Sequence, residues 1–227
     1  MTNVEIQGEI FPGGPSGNPE DGYGWDKVAA AISGETEEVV ININSPGGDV
    51  ISGLTVVNAI QNTAARVTAR VSVIAASMAA VIALACDEVV VDENSVIMLH
   101  NCWSIASGNK EEMQSAVDAM GKIDAIQRNI IAAHCRDIEK ISEAMDKGDL
   151  WMTADELAAE FDNVIVKKAD RSANSIAAVG SLSLLVLKAK ENADDEKADS
   201  DEKDDGKPAD EDKNDEQEGG MSRILCF

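Results

Sequence analysis

The sequence predicts an α/β protein, and three observations carry that prediction. Short runs rich in Val and Ile alternate with longer segments whose apolar residues recur at helical spacing. Sharp Gly- and Pro-bearing breaks such as "SPGGD" separate them. The alternation continues from about Val4 to Lys167, and only then does the composition change. Strands and helices in this order call for mainly right-handed crossovers.

Each element has its own signal. "VEIQGEIF" alternates apolar and polar residues, as a half-buried strand does. "PGGPSGNPEDGYG" is too dense in Gly and Pro for anything but a loop. "WDKVAAAISG" reads as a short helix ending near Gly34, and "EEVVININ" as a strand. "VISGLTVVNAIQNTA" has helical spacing, and "ARVTARVSVI" alternates as a strand. "VIAASMAAVIALAC", Val73 to Cys86, reads as an Ala-rich helix with one hydroxyl, Ser77, inside it. "DEVVVDENSVIMLHN" is a strand, a turn and a strand.

A long helix is expected from Lys110 to Cys135, with Met113, Val117, Met120, Ile123, Ile126, Ile130 and Ile131 on one face. "DIEKISEAMDKG" gives a shorter helix. In "TADELAAEF", Thr153 and Glu156 form a capping box, in which each side chain satisfies an orphan backbone N–H at the helix start. "NVIVKKA" is a strand, and "SLSLLVL" reads as a final strand or helix. From Glu191 to Gly220 there are 15 acids and 4 lysines and no aromatic residue. That stretch cannot bury enough surface to offset its ordering entropy and is expected to be disordered. The reading therefore divides the chain into a folded domain, 1–188, and an acidic tail, 189–227, with the apolar end "MSRILCF".

The totals exclude some functions. A net charge of -23 argues against nucleic acid, because phosphate binders carry an excess of Lys and Arg. No apolar run reaches the ~20 residues that span a bilayer, and the N-terminus lacks a signal-peptide pattern, so no membrane role is expected. The four cysteines, Cys86, Cys102, Cys135 and Cys226, show no CxxC pair and no metal-ligand spacing. Free thiols in a reducing cytoplasm are expected, with no metal and no cofactor.

A hydroxyl in an apolar run costs about 1–3 kcal/mol unless it has a partner. Ser77 is either a packing residue bonded one turn back or a nucleophile. A nucleophile needs a base, a group to orient that base, and N–H donors for the oxyanion. Only His100 and His134 can be a histidine base. His100 ends a strand, where α/β proteins place reactive groups; His134 reads as a helix-end residue. "NSPGGD" offers backbone N–H groups after a strand, and Met78 offers the N–H following the serine. Asp87, Asp92, Asp146 and Asp149 all lie in suitable places for the acid. The sequence lacks the G-x-S-x-G elbow of α/β-hydrolases, since Ala75 and Ala79 occupy the glycine positions.

"ININSPGGDVISG", "AASMAA" and "IMLHN" together resemble the ClpP family of serine peptidases, from about Val4 to Lys167. The resemblance implies the ClpP/crotonase-like fold of repeated β-β-α units. It implies a Ser-His-Asp endopeptidase with Ser77 as nucleophile, His100 as base and Asp149 as the third member. Asp146 lies three residues from Asp149, and a one-turn shift would exchange them. Gly48 and Met78 match the oxyanion donors. "HNCWSIASGNKEEM" and "MDKGDLWMTADELAAEF" look more like phage head maturation (prohead) proteases than the housekeeping enzyme, and the acidic tail fits that context. That likeness implies capsid, scaffold or portal proteins as substrates, a homo-oligomeric ring, and action in the host cytoplasm at the assembling prohead. Ala79, Val73 and Ile74 depart from the small residues and glycine common in the family. Two rivals stand beside this reading: a crotonase-like acyl-CoA enzyme, and a scaffold or assembly factor with a vestigial triad.

Overall fold

The computed structural model describes residues 1–11, 25–35 and 37–169. The segments "SLSLLVL" and "MSRILCF" and the acidic tail lie outside the described residues. The α/β class holds. In chain order the elements are β1 (Thr2–Gln7), α1 (Trp25–Ser33), β2 (Glu38–Ser45), α2 (Val50–Asn62), β3 (Arg66–Ala76) and α3 (Met78–Leu84). They continue with β4 (Glu88–Asp92), β5 (Val96–Leu99), α4 (Lys110–Ala132), α5 (Ile138–Lys147), β6 (Leu150–Thr153), α6 (Ala154–Glu160) and β7 (Val164–Lys167).

The sheet runs β1-β2-β3-β4-β7, and every neighbouring pair on this path is parallel. β3 is the spine. Its first half pairs with β4 (Thr68↔Glu88 to Val71↔Val91), and its second half pairs with β5 (Ile74↔Val96 to Ala76↔Met98). β6 then adds antiparallel to β5, with Met98 opposite Trp151. The sheet thus forks along one long strand, and the fork carries the ends of β3 and β5 and the start of β6 to one place.

The core explains the Val- and Ile-rich runs. Val39, Ile41, Val67, Ala69, Val89 and Val91 are fully buried in neighbouring strands. All seven residues of α3 are buried, as expected of a helix that is apolar all round. Its alanines keep it thin enough to lie close to the sheet. Gly53 of α2 faces Met78. A Cβ built on Gly53 would lie 2.2 Å from Met78 Cγ.

Several expectations need correction. The Ala-rich run is not one helix. β3 extends to Ala76, Ser77 is the turn, and the helix starts at Met78. The run is apolar because both its strand and its helix are buried, so periodicity does not separate them. β6 is an additional strand, too short at four residues to show alternation. α4 stops at Ala132, not Cys135. Its predicted apolar face divides: Ile123, Ile130 and Ile131 are buried, while Met113, Val117 and Ile126 are exposed. Cys86 and Cys135 are free thiols, but Cys102 is disulfide-bonded, against the all-thiol expectation. The Thr153–Glu156 capping box is present, and Asn109 and Glu112 form a second at the start of α4. Among the described residues no helix is long and apolar enough to cross a membrane.

Gly53→Ala tests the α2–α3 contact. Helix propensity alone favours Ala by about 1 kcal/mol. Overlap with Met78 opposes it, and overpacking costs about 1–3 kcal/mol. A net loss of stability is expected in urea unfolding, and an unchanged or raised midpoint would contradict so close a contact.

Candidate active site

Ser77 sits where β3 passes into α3, with φ 53 and ψ -126. It is the one non-glycine residue at positive φ among those described. For a residue with a Cβ this costs about 1–3 kcal/mol, so the surroundings must hold it. Two contacts do. The Ser77 N–H donates to Met98 O at 2.8 Å, fastening the turn to the end of β5. Gly47 packs against the turn so closely that a Cβ there would lie 2.6 Å from Ala76 O and 2.7 Å from Ser77 Cβ. Ala75 and Ala79 stand where α/β-hydrolases have glycines, yet the sharp strand-to-helix turn forms.

The bond to Met98 brings the end of β5 alongside, and His100 follows that strand directly. Its Nε2 lies 2.7 Å from Ser77 Oγ. Its Nδ1 faces Asp149 Oδ1 at 3.6 Å. The ring is therefore approached by the hydroxyl on one nitrogen and by a carboxylate on the other. A proton on Nδ1 faces the carboxylate and leaves Nε2 to accept from the serine. Burial lowers the His100 pKa below 6.5; Asp149 and then Asp124 oppose this by favouring the cation. The net result is a neutral imidazole at neutral pH, the form that can take a proton.

One backbone N–H follows the serine directly, and a second lies in the "SPGGD" segment, whose Gly47 packs against the turn. Met78 supplies the first N–H of α3, which has no acceptor within its own helix. Gly48 supplies the second. Gly47 O accepts from Ile10 N at 2.8 Å, and Asp49 N donates to Ile10 O at 2.7 Å, so both face Ile10. Successive groups of an extended chain alternate, so the Gly48 N–H points to the other side. No Cβ fits at Gly48, because it would lie 2.3 Å from Ile10 O. Ile10 thus occupies one edge of the "SPGGD" segment.

The other sequence candidates separate clearly. Asp146 is engaged away from the ring. Its Oδ1 accepts from Asn101 Nδ2 at 2.9 Å and is paired with Arg128. These bonds, Asn101's first and Arg128's second, hold its carboxyl below the usual range. Of the two alternatives, Asp149 is the one facing His100. Asp87 caps the entry to β3 by accepting from Val67 N at 2.7 Å, and Asp92 pairs with Lys167 at 3.7 Å. His134 lies past α4 and faces Asp162 at 3.2 Å. Sequence reasoning missed Asn101, Asp124 and Arg128. Asp124 and Arg128 are polar residues four apart in α4, a spacing that points both toward one neighbour. Among the described residues no group of three or more His, Cys, Asp or Glu is placed to hold a metal.

A parallel-sheet α/β fold with a serine at a strained strand-to-helix turn, a histidine against it and a carboxylate behind defines a class of hydrolase-like sites. The chain belongs to the Clp protease family, whose profile matches residues 28–168, more than half of its length. It is 33% identical over 138 residues to the ATP-dependent Clp protease proteolytic subunit of Bacteroides thetaiotaomicron, covering 58% of this chain and 62% of that protein. It is 29% identical over 179 residues to the protein of the same name from Leuconostoc citreum, covering 74% of this chain and 84% of that one. The chain thus spans less than two thirds of the first relative and most of the second. This membership leaves the acyl-CoA reading without support.

The His100 environment gives a pH prediction. A carbon–proton titration of the two histidine rings should place His100 below 6.5. Asp149→Asn should lower it further, since the Asp149 charge favours the cation. A His100 midpoint above 6.5, or one raised by Asp149→Asn, would contradict burial as the main cause.

Proposed function

We propose that this chain is a serine endopeptidase of ClpP type, with Ser77 as nucleophile, His100 as general base and acid, and Asp149 orienting the ring. The observation that carries this reading is the 2.7 Å approach of His100 Nε2 to the hydroxyl of a serine held in a strained turn. As Ser77 Oγ attacks the scissile carbonyl carbon, its proton passes to Nε2. The carbonyl oxygen becomes an oxyanion beside the Gly48 and Met78 N–H groups, and one such donor is worth about 10²–10³ in rate. Collapse of the tetrahedral intermediate expels the amine, which takes the proton from His100. Water, deprotonated by the same ring, then releases the acyl group.

The biological role we assign is maturation of a phage head. The segment "HNCWSIASGN" after the base and the acidic stretch 191–220 support it. On this reading the substrates are capsid, scaffold or portal proteins, and the site is the assembling prohead in the host cytoplasm. The working form is a homo-oligomeric ring. The exposed Met113, Val117 and Ile126 of α4 suit a contact between copies. Residues 1–188 form the protease, and 189–227 the acidic tail.

Fluorophosphonate labelling read by intact mass tests the chemistry. Wild type should take one adduct. Ser77→Ala and His100→Ala should take none, and Asp149→Asn should label more slowly, by up to ~10⁴-fold. A folded wild type that takes no label would overturn the enzyme and favour an assembly factor. Co-expression with capsid, scaffold and portal proteins tests the role: discrete Ser77-dependent cleavage supports it. Activity only with an ATP-driven unfoldase would align the chain with its bacterial relatives instead.

A further inference from the structure

Asp149 poses a positional problem. Its side chain is 56% exposed, and apart from facing His100 at 3.6 Å its carboxylate makes no ion pair or hydrogen bond with the described residues. Nothing at its own tip fixes it. Its place is set by the backbone, which leaves α5 at Lys147 and turns at Gly148, where φ is 144. What anchors the end of α5 therefore anchors Asp149.

The anchor lies three residues earlier. Asp146 Oδ1 accepts from Asn101 Nδ2 at 2.9 Å and pairs with Arg128. Arg128 Nη2 also donates to Asn101 Oδ1 at 2.9 Å, closing a triangle of three side chains. Asn101 is the residue after His100. One turn earlier on α4, Asp124 Oδ1 accepts from Cys102 N at 2.6 Å. The segment carrying the base and the helix end carrying the acid are thus tied to one face of α4.

We propose that the Asn101–Arg128–Asp146 triangle, braced by Asp124, is a positioning clamp that sets the separation between His100 and Asp149. The inference rests on the peptidase reading for its kinetic consequence but not for its geometry. Arg128 is a positioning residue. It acts through Asp149 and reaches neither Ser77 nor the reacting atoms. A solvent-screened pair such as Arg128 and Asp146 adds little to stability, so the clamp's effect is expected in geometry first.

Two measurements test it. In uniformly ¹⁵N-labelled protein at about pH 8, the His100 imidazole is neutral and its nitrogen shifts report the tautomer. Wild type should hold His100 mainly as the Nδ1–H form. Arg128→Ala should move it toward the mixture seen in Asp149→Asn, with His134 unchanged as internal control. Arg128→Lys, which keeps a multi-donor cation, should restore it. In fluorophosphonate labelling, Arg128→Ala should slow wild type by about 10–100-fold. It should have no further effect in an Asp149→Asn background. Equal slowing in both backgrounds, or an unchanged His100 tautomer, overturns the clamp. If Arg128→Ala unfolds, Asn101→Ala opens the same triangle without altering α4, and the same two readouts decide. Absence of label on wild type would remove the peptidase reading while the tautomer measurement still judges the clamp.

Discussion

Everything at the site depends on the turn at Ser77. A residue with a Cβ does not adopt φ 53 without help. The help comes from three directions. Met98 O takes its N–H, Gly47 presses on it without a Cβ, and α3 is sealed into the core behind it. The same constraints set the chemistry. The bond to Met98 delivers His100, the Gly47 contact delivers Gly48, and the abrupt start of α3 leaves the Met78 N–H open. One strained residue thus brings the Ser77 hydroxyl, the His100 ring and the Met78 N–H to one place.

The fork in the sheet makes this arrangement possible. β3 is long enough to pair with β4 near its start and β5 near its end, so β5 finishes beside the turn rather than one strand away. β6 closes the far edge of β5 and carries the chain directly onward from Asp149. α4 packs against α3 and α5. Its buried residues Ile123, Ile130 and Ile131 fix it to the core, and its polar Asp124 and Arg128 reach the segments that carry His100 and Asp149. Met113 and Val117 face solvent, so packing and site geometry share one helix with an exposed apolar surface.

Much of this was legible from residues alone. Period-two and helical patterns located β1, β2, α2, α5 and β7 to within a few residues, because each buries one face. The capping box at Thr153 was readable because its two side chains are three apart and local. Ser77 and His100 were found by motif, and their side chains meet at 2.7 Å. Illegible were the strand-to-helix break inside Val73–Cys86, the four-residue β6 and the division of the α4 face. Where both sides of an element are buried, or where it is too short for a period to show, hydropathy carries no signal.

The sequence by itself determined which residue types are available and which faces are apolar, since burial and local capping depend on near neighbours along the chain. It left Asp146 and Asp149 as alternatives. Only the tertiary structure separated them, by engaging Asp146 with Asn101 and Arg128 and leaving Asp149 facing the ring. The physical reason is distance along the chain. Asn101 and Asp146 are 45 residues apart, and no local pattern encodes a hydrogen bond that forms only when two separate elements meet on a third.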